Sequence, residues 1–193
     1  MSTLVAVRKG KQICIASDSL TTFGDKKQKA DYVAEPAKFY KWGHSIVGLV
    51  GYAAHEQVLT SLIKNTKKPP EFSSKLEIFE TIRGIHKILK EEYYLVPITD
   101  DNKEDPYEST QMDMMIINKF GLFTALSLRE VFEYKRFWAM GSGGDFATGA
   151  MYMAYQRKGA TAQSVARAGI NAGMEFDKNS YGPIHLKTLQ LKV

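Results

Sequence analysis

Cysteine is almost missing from this chain: Cys14 is the one thiol in 193 residues. No internal disulfide can form, and a reducing cytosolic setting is the expectation. Cys14 stands mid-run in Ile13-Cys14-Ile15, where a small buried hydrophobe is the simplest reading of it. Histidine is scarce as well. His44, His55, His86 and His185 show no metal-ligand spacing, so no metal and no other cofactor is expected. Apolar runs stop far short of the ~20 residues that span a bilayer, and no basic start leads into an apolar segment, so no membrane attachment is expected. The net charge is +5, with lysines grouped at Lys26, Lys27 and Lys29 and at Lys64, Lys67 and Lys68. No aromatics interleave them, which describes a solvated surface rather than a nucleic-acid interface. Gly141 to Gly144 is a glycine-rich turn before a helix, but no Gly-Lys-Ser/Thr follows, which excludes a Walker nucleotide loop. Repeats, low-complexity tracts and linkers are absent too. The length suits one domain, residues 1–193, with one substantial core.

What the chain does have is a strong start. Met1 to Arg8 and Ile13 to Asp18 are rich in apolar and β-branched residues, with Lys9-Gly10-Lys11 between them as a turn. That predicts a hairpin over residues 3–9 and 12–18. Termini fray unless tied down, so a strand beginning this early suggests that the N-terminus is the working part. With Met1 trimmed, Ser2 would carry a hydroxyl and a free α-amino group together, a nucleophile beside a base. Such an amine titrates near ~8 and is partly free at neutral pH. A two-residue loop would set Asp18 opposite Thr3, and a three-residue loop would set it opposite Ser2; the residues leave both open.

Beyond the hairpin, Leu20 to Asp31 reads as a loop or irregular hairpin. Strands are expected near Lys38 to Trp42 and over residues 45–50. A helix after Gly51 carries Val58, Leu59, Leu62 and Ile63, and a second places Leu76, Phe79, Ile82, Ile85 and Leu89 on one face. Thr99 to Thr110 is an acidic loop, the segment expected to be flexible. Four strands follow: Met112 to Asn118, Gly121 to Ser127, Val131 to Tyr134 and Phe137 to Met140. A third helix holds Phe146, Ala150, Met153 and Ala154, a fourth covers Ser164 to Phe176, and Pro183 to Leu191 is a last strand. This order suits two stacked sheets between helix layers.

Asp18, Lys38 within Ala37 to Tyr40, Gly51 at the end of an apolar strand, Gly141 to Gly144 and Asp177 to Ser180 occur in one consistent order. On these residues the chain resembles the N-terminal-nucleophile hydrolases of the proteasome β type, especially HslV/ClpQ and the short bacterial homologues Anbu and BPH. The resemblance spans nearly the whole chain and implies an α+β fold, a four-layer αββα sandwich. It implies an N-terminal-nucleophile endopeptidase that hydrolyses unfolded proteins inside a ring chamber. Ser2 takes the nucleophile position, where most members carry threonine and its rotamer-fixing methyl. Lys38 then supplies a positive charge that tunes amine and hydroxyl, and Asp18 holds Lys38 in place. Gly51 offers the oxyanion-hole N–H, Ser142 bonds near the N-terminal amine, and Asp177 and Ser180 support that corner. Thr22 pairs with an extended substrate backbone, and Leu49 lines the primary specificity pocket, implying an apolar preference.

The partners implied are a peptide or unfolded protein, copies of the same chain in stacked rings of 12 or 14 subunits, and an ATPase unfoldase on the HslV side. Ser17-Asp18-Ser19 replaces the Gly-Asp-Gly usual in HslV and tilts the reading towards Anbu and BPH. A non-catalytic ring or scaffold is the rival reading, favoured by serine for threonine and by the lysine-rich surface. A small-molecule amidase is a third reading, set back by the proteasome-like downstream motifs.

Overall fold

The computed structural model describes residues 2–96 and 106–191. Strands β1 (Leu4–Lys9) and β2 (Gln12–Ser17) form the opening hairpin, with Lys9 opposite Gln12 across the two-residue turn Gly10-Lys11. A small hairpin, β3 (Thr21–Phe23) and β4 (Lys26–Gln28), occupies the stretch read as a loop or irregular hairpin. Next come β5 (Phe39–Trp42), β6 (Ser45–Val50), α1 (Ala54–Asn65) and α2 (Lys75–Glu91). The second half holds β7 (Asp113–Ile117), β8 (Leu122–Ala125), β9 (Val131–Tyr134), β10 (Phe137–Met140), α3 (Gly144–Tyr155), α4 (Ala162–Phe176) and β11 (His185–Gln190).

Two antiparallel sheets result, ordered β10-β1-β2-β11 and β5-β6-β7-β8-β9. The central strands are apolar on both faces, and the pleat sorts their side chains. In β1, Val5 and Val7 face α3 and α4, where they join Cys14, Ala147, Met151 and Ile170. Leu4 and Ala6 point the other way and meet Ile46, Met115 and Ile117 of the second sheet. Val47, Leu49, Met114 and Ile116 of that sheet face α1 and α2. Each buried cluster is one interlayer space, and the four layers run α, β, β, α as the resemblance implies. Among the described residues no helix is long and apolar enough to cross a membrane.

Two helix faces differ from the sequence expectation. The buried stripe of α2 is Ile78, Ile82, Ile85 and Leu89, while Leu76 is 71% exposed and Phe79 lies at the stripe's margin. On α3 the buried residues are Gly144, Ala147, Met151 and Ala154, and Phe146 and Met153 face outward. Alternating steps of three and four residues set the stripe's phase, and large apolar residues off that phase stay outside. Helix α4 begins two residues before the expected Ser164, because Thr161 and Ser164 exchange the two hydrogen bonds of a capping box. Of the acidic loop expected over 99–110, residues 99–105 lie outside the described residues.

The two sheets pack closely where Gly48 faces Leu4: a Cβ at residue 48 would stand 2.7 Å from Leu4 Cδ2 and 3.2 Å from Ile15 Cδ1. Gly48→Ala is therefore expected to destabilise the fold by about 1–3 kcal/mol through overpacking. Combined with Leu4→Ala, its cost should shrink, because the removed methyls make room for the new one. Urea unfolding of the four proteins of this cycle checks the coupling; strictly additive costs would show that Leu4 moves aside freely.

Candidate active site

Asp18 continues the β1–β2 ladder by one step. Its N–H donates to the Thr3 carbonyl at 3.1 Å, and the Thr3 N–H donates to Asp18 Oδ1 at 3.0 Å. This is the two-residue register, with Asp18 opposite Thr3. The carboxylate is fully buried and completely engaged. Oδ1 also accepts from Lys38 Nζ at 2.7 Å, and Oδ2 accepts from the N–H groups of Leu20 at 2.9 Å and Tyr181 at 3.2 Å. Lys38 precedes β5 and is 4% exposed, which is tolerable because its ammonium has such partners. Besides Asp18, its Nζ donates to the Leu20 carbonyl at 2.7 Å. An ammonium has three donors, so one is left for the space beside it.

That space is a cleft of about 600 Å³ whose wall includes Ser2, Lys38, Thr22 and Gly51. The remaining lining comes from the rest of the Leu20 to Gly24 segment, from Tyr52 to Ala54, and from Glu56. Four residues singled out from the sequence thus come together from just before β1, the β3 hairpin, just before β5 and just after β6. Gly51 has φ +130°, a conformation that a side chain would strain. Leu49 is not on the cleft wall. It is 4% exposed and packs with the α1 and α2 core, because its place in β6 turns it to the helix side of the sheet.

Ser142, Asp177 and Ser180 gather at the neighbouring corner. Ser142 Oγ and Ser180 Oγ each donate to Asp177 Oδ2 at 2.7 Å, and Asn179 donates its backbone N–H to Oδ1 at 3.1 Å. Ser180 Oγ lies 2.7 Å from Thr3 Oγ1. Since the Ser180 proton goes to Asp177, Thr3 is the donor of that pair, and the chain runs Thr3 to Ser180 to Asp177. The trio therefore reaches the N-terminal strand through Thr3 rather than through Ser2. Ser2 is held by its backbone: its carbonyl accepts from the Gly143 N–H at 3.4 Å and sits where a side chain on Gly141 would stand.

Three solved structures carry the comparison with known proteins, while no family model and no curated protein matches the chain. One is Thiobacillus denitrificans BPH, 38% identical, with 98% of each chain covered and a TM-score of 0.92. A second is the same organism's BPH in complex with epoxomicin, 37% identical over 99% of this chain and 100% of that one, with a TM-score of 0.92. The chain belongs to the bacterial proteasome homologue family, BPH. HslV from Trypanosoma brucei shares the fold, with a TM-score of 0.72 at 19% identity over 97% of this chain and 99% of that one.

Within this BPH chain, sequence reasoning met Thr3 only as a neighbour of Ser2 and as a register partner of Asp18, and it passed over Glu56. Thr3 is fully buried, and a Cβ on Gly173 would lie 2.6 Å from its Cγ2 and 2.9 Å from its Cβ. The available signal was Gly173 inside an otherwise alanine-rich helix, a mark of close approach. Glu56, half-buried on the cleft wall, left no such mark. Among the described residues no three His, Cys, Asp or Glu side chains gather into a metal-binding group.

Burial pushes the Asp177 carboxyl upward, but the hydrogen bonds from Ser142, Ser180 and Asn179 outweigh it and hold the group below its ordinary value. A carboxyl depressed in the native state contributes stability that is fully present above its unfolded value near ~3.9 and is lost as the pH falls through the native value. Asp177→Asn should cost about 1–3 kcal/mol at pH 7. Chemical unfolding of both proteins between pH 7 and 2.5 should show that gap narrowing below about pH 4. A gap independent of pH would assign the loss to packing.

Proposed function

We propose that the chain is the subunit of a self-compartmentalising N-terminal-nucleophile peptidase, with Ser2 as nucleophile. One observation carries this reading: Ser2, Lys38, Gly51 and Thr22 share one cleft, and Lys38 is held there by a buried Asp18. Thr3, the neighbouring hydroxyl, is fully buried and not on the cleft wall, which favours Ser2 over it. The epoxomicin complex of Thiobacillus denitrificans BPH adds support from a relative.

With Met1 removed, the Ser2 α-amine takes the proton of Oγ as Oγ attacks the scissile carbonyl carbon. The Gly51 N–H donates to the developing oxyanion. Lys38 favours the ionised hydroxyl and keeps the amine from becoming too basic. The C–N bond breaks, the leaving amine departs with the proton, and an ester remains on Ser2. Water then adds to that ester, releases the new carboxyl terminus and returns the proton to Oγ. Thr22, on the cleft wall, pairs with the extended substrate backbone. Ser142, Asp177 and Ser180 act one layer back by anchoring Thr3.

Stacked homo-oligomeric rings fit the outer helix layer, where Phe146, Tyr152, Met153 and Phe176 are 45–67% exposed. Apolar side chains of that size on one face call for a partner surface, here other copies of the chain.

Two measurements test the reading. Lys38→Ala should lower hydrolysis of a fluorogenic peptide by several orders of magnitude while the rings persist in light scattering. Unchanged turnover would return Lys38 to a structural role. Protein starting at Ser2 should also take up a peptide epoxyketone at residue 2 and lose this with Ser2→Ala. Protein retaining Met1 should not react, because an amide nitrogen is no base. Activity that followed Thr3→Ala and ignored Ser2→Ala would move the nucleophile, and fully processed rings without labelling would favour the non-catalytic scaffold.

A further inference from the structure

The cleft is lined by two ionic side chains, and they are not equivalent. Lys38 is already paired with Asp18 at 2.7 Å. Glu56, in the first turn of α1, is half-buried and joins no ion pair among the described residues. Among the described residues its carboxylate takes one hydrogen bond, from the Tyr40 hydroxyl, which donates to Oε2 at 3.3 Å. Burial drives the Tyr40 phenol well above its ordinary value, so it remains a donor. Burial likewise raises Glu56, while the Tyr40 bond and the nearby Lys38 charge pull it back. A first-turn carboxylate is favoured by the helix dipole wherever it faces. Standing on the cleft wall is what makes this one available to a ligand.

The wall leading to Glu56 offers three small residues, Gly51, Ala53 and Ala54, beside the exposed ring of Tyr52. A lysine or arginine stem can lie along such a surface and bring its charge to the carboxylate. An apolar side chain in the same place would strip water from Glu56 and give nothing back, the costly case for a buried charge. Leu49, the residue expected to make the pocket apolar, faces the helix core instead.

We infer that Glu56 makes this cleft prefer substrates with a cationic side chain, lysine or arginine, on the N-terminal side of the scissile bond. This rests on the peptidase reading for the bond cleaved, but the preference itself can be measured without turnover. The probes are three short peptide amides that differ only in a terminal Arg, Lys or Leu, titrated calorimetrically into protein starting at Ser2. The Arg and Lys peptides should bind about 10-fold or more tighter than the Leu peptide, the scale of one charge-assisted hydrogen bond. Glu56→Gln retains an acceptor for Tyr40 and should bring that ratio close to one. Glu56→Lys should turn the preference towards a peptide ending in Glu, which loss of packing alone would not do. No preference in the wild-type protein, no binding of any peptide, or a ratio unmoved by Glu56→Gln overturns the inference. Turnover of the matching fluorogenic peptides reads the peptidase proposal separately. Glu56-dependent binding without cleavage sinks that proposal alone, and cleavage without Glu56-dependent preference sinks this inference alone.

Discussion

A single buried carboxylate ties the structure together. Asp18 accepts from the N–H groups of Thr3, Leu20 and Tyr181 and from Lys38 Nζ, so one side chain joins segments far apart along the chain. A bare carboxylate in this position would be prohibitively costly, and four donors are what make it tolerable. Removing one partner of such a pair typically costs about 3–5 kcal/mol, because the other charge is left buried. The same bonds set where Lys38 stands in the cleft. Fold stability and site geometry therefore rest on one group.

Around residues 2 and 3 the packing is close on several sides. Gly141 and Gly143 from the turn before α3, and Gly173 from α4, all lie where a side chain would overlap Ser2 or Thr3. The absence of three side chains lets the N-terminal strand sit deep between the helix layer and the second sheet. Thr3 locks it there by donating to Ser180, and Ser180 leans in turn on Asp177. Ser2, 7% exposed just before this anchored strand, stands on the cleft wall. A hydroxyl held this firmly would need little reorganisation in the reaction proposed for it.

Much of this was written locally in the sequence. Alternating and continuous apolar runs marked the strands, and 45–50 matches β6 to the residue. Gly51, Asp18 and Lys38 were singled out by the family resemblance, because a charge at a strand end or a glycine at a turn is by itself ordinary. The order of motifs then pointed to the proteasome β fold, which the 38% identical BPH structure bears out. Helical phase was less legible. Leu76, Phe79, Phe146 and Met153 are large and apolar, yet they lie off the buried stripes. Size and apolarity say that a residue prefers burial, not which side of a helix its neighbours will cover.

What the sequence by itself determined is the set of elements, their order and the chemistry of the residues near the strand ends. The tertiary structure alone decided the hairpin register, the partnership of Thr3 with Ser180, the retreat of Leu49 into the core and the arrival of Glu56 at the cleft. The physical reason is separation along the chain. Propensity and periodicity act over a few residues, whereas a contact between residues 3 and 180 needs segments from opposite ends of the chain to pack together. Which side chains share a cleft is settled at that last step.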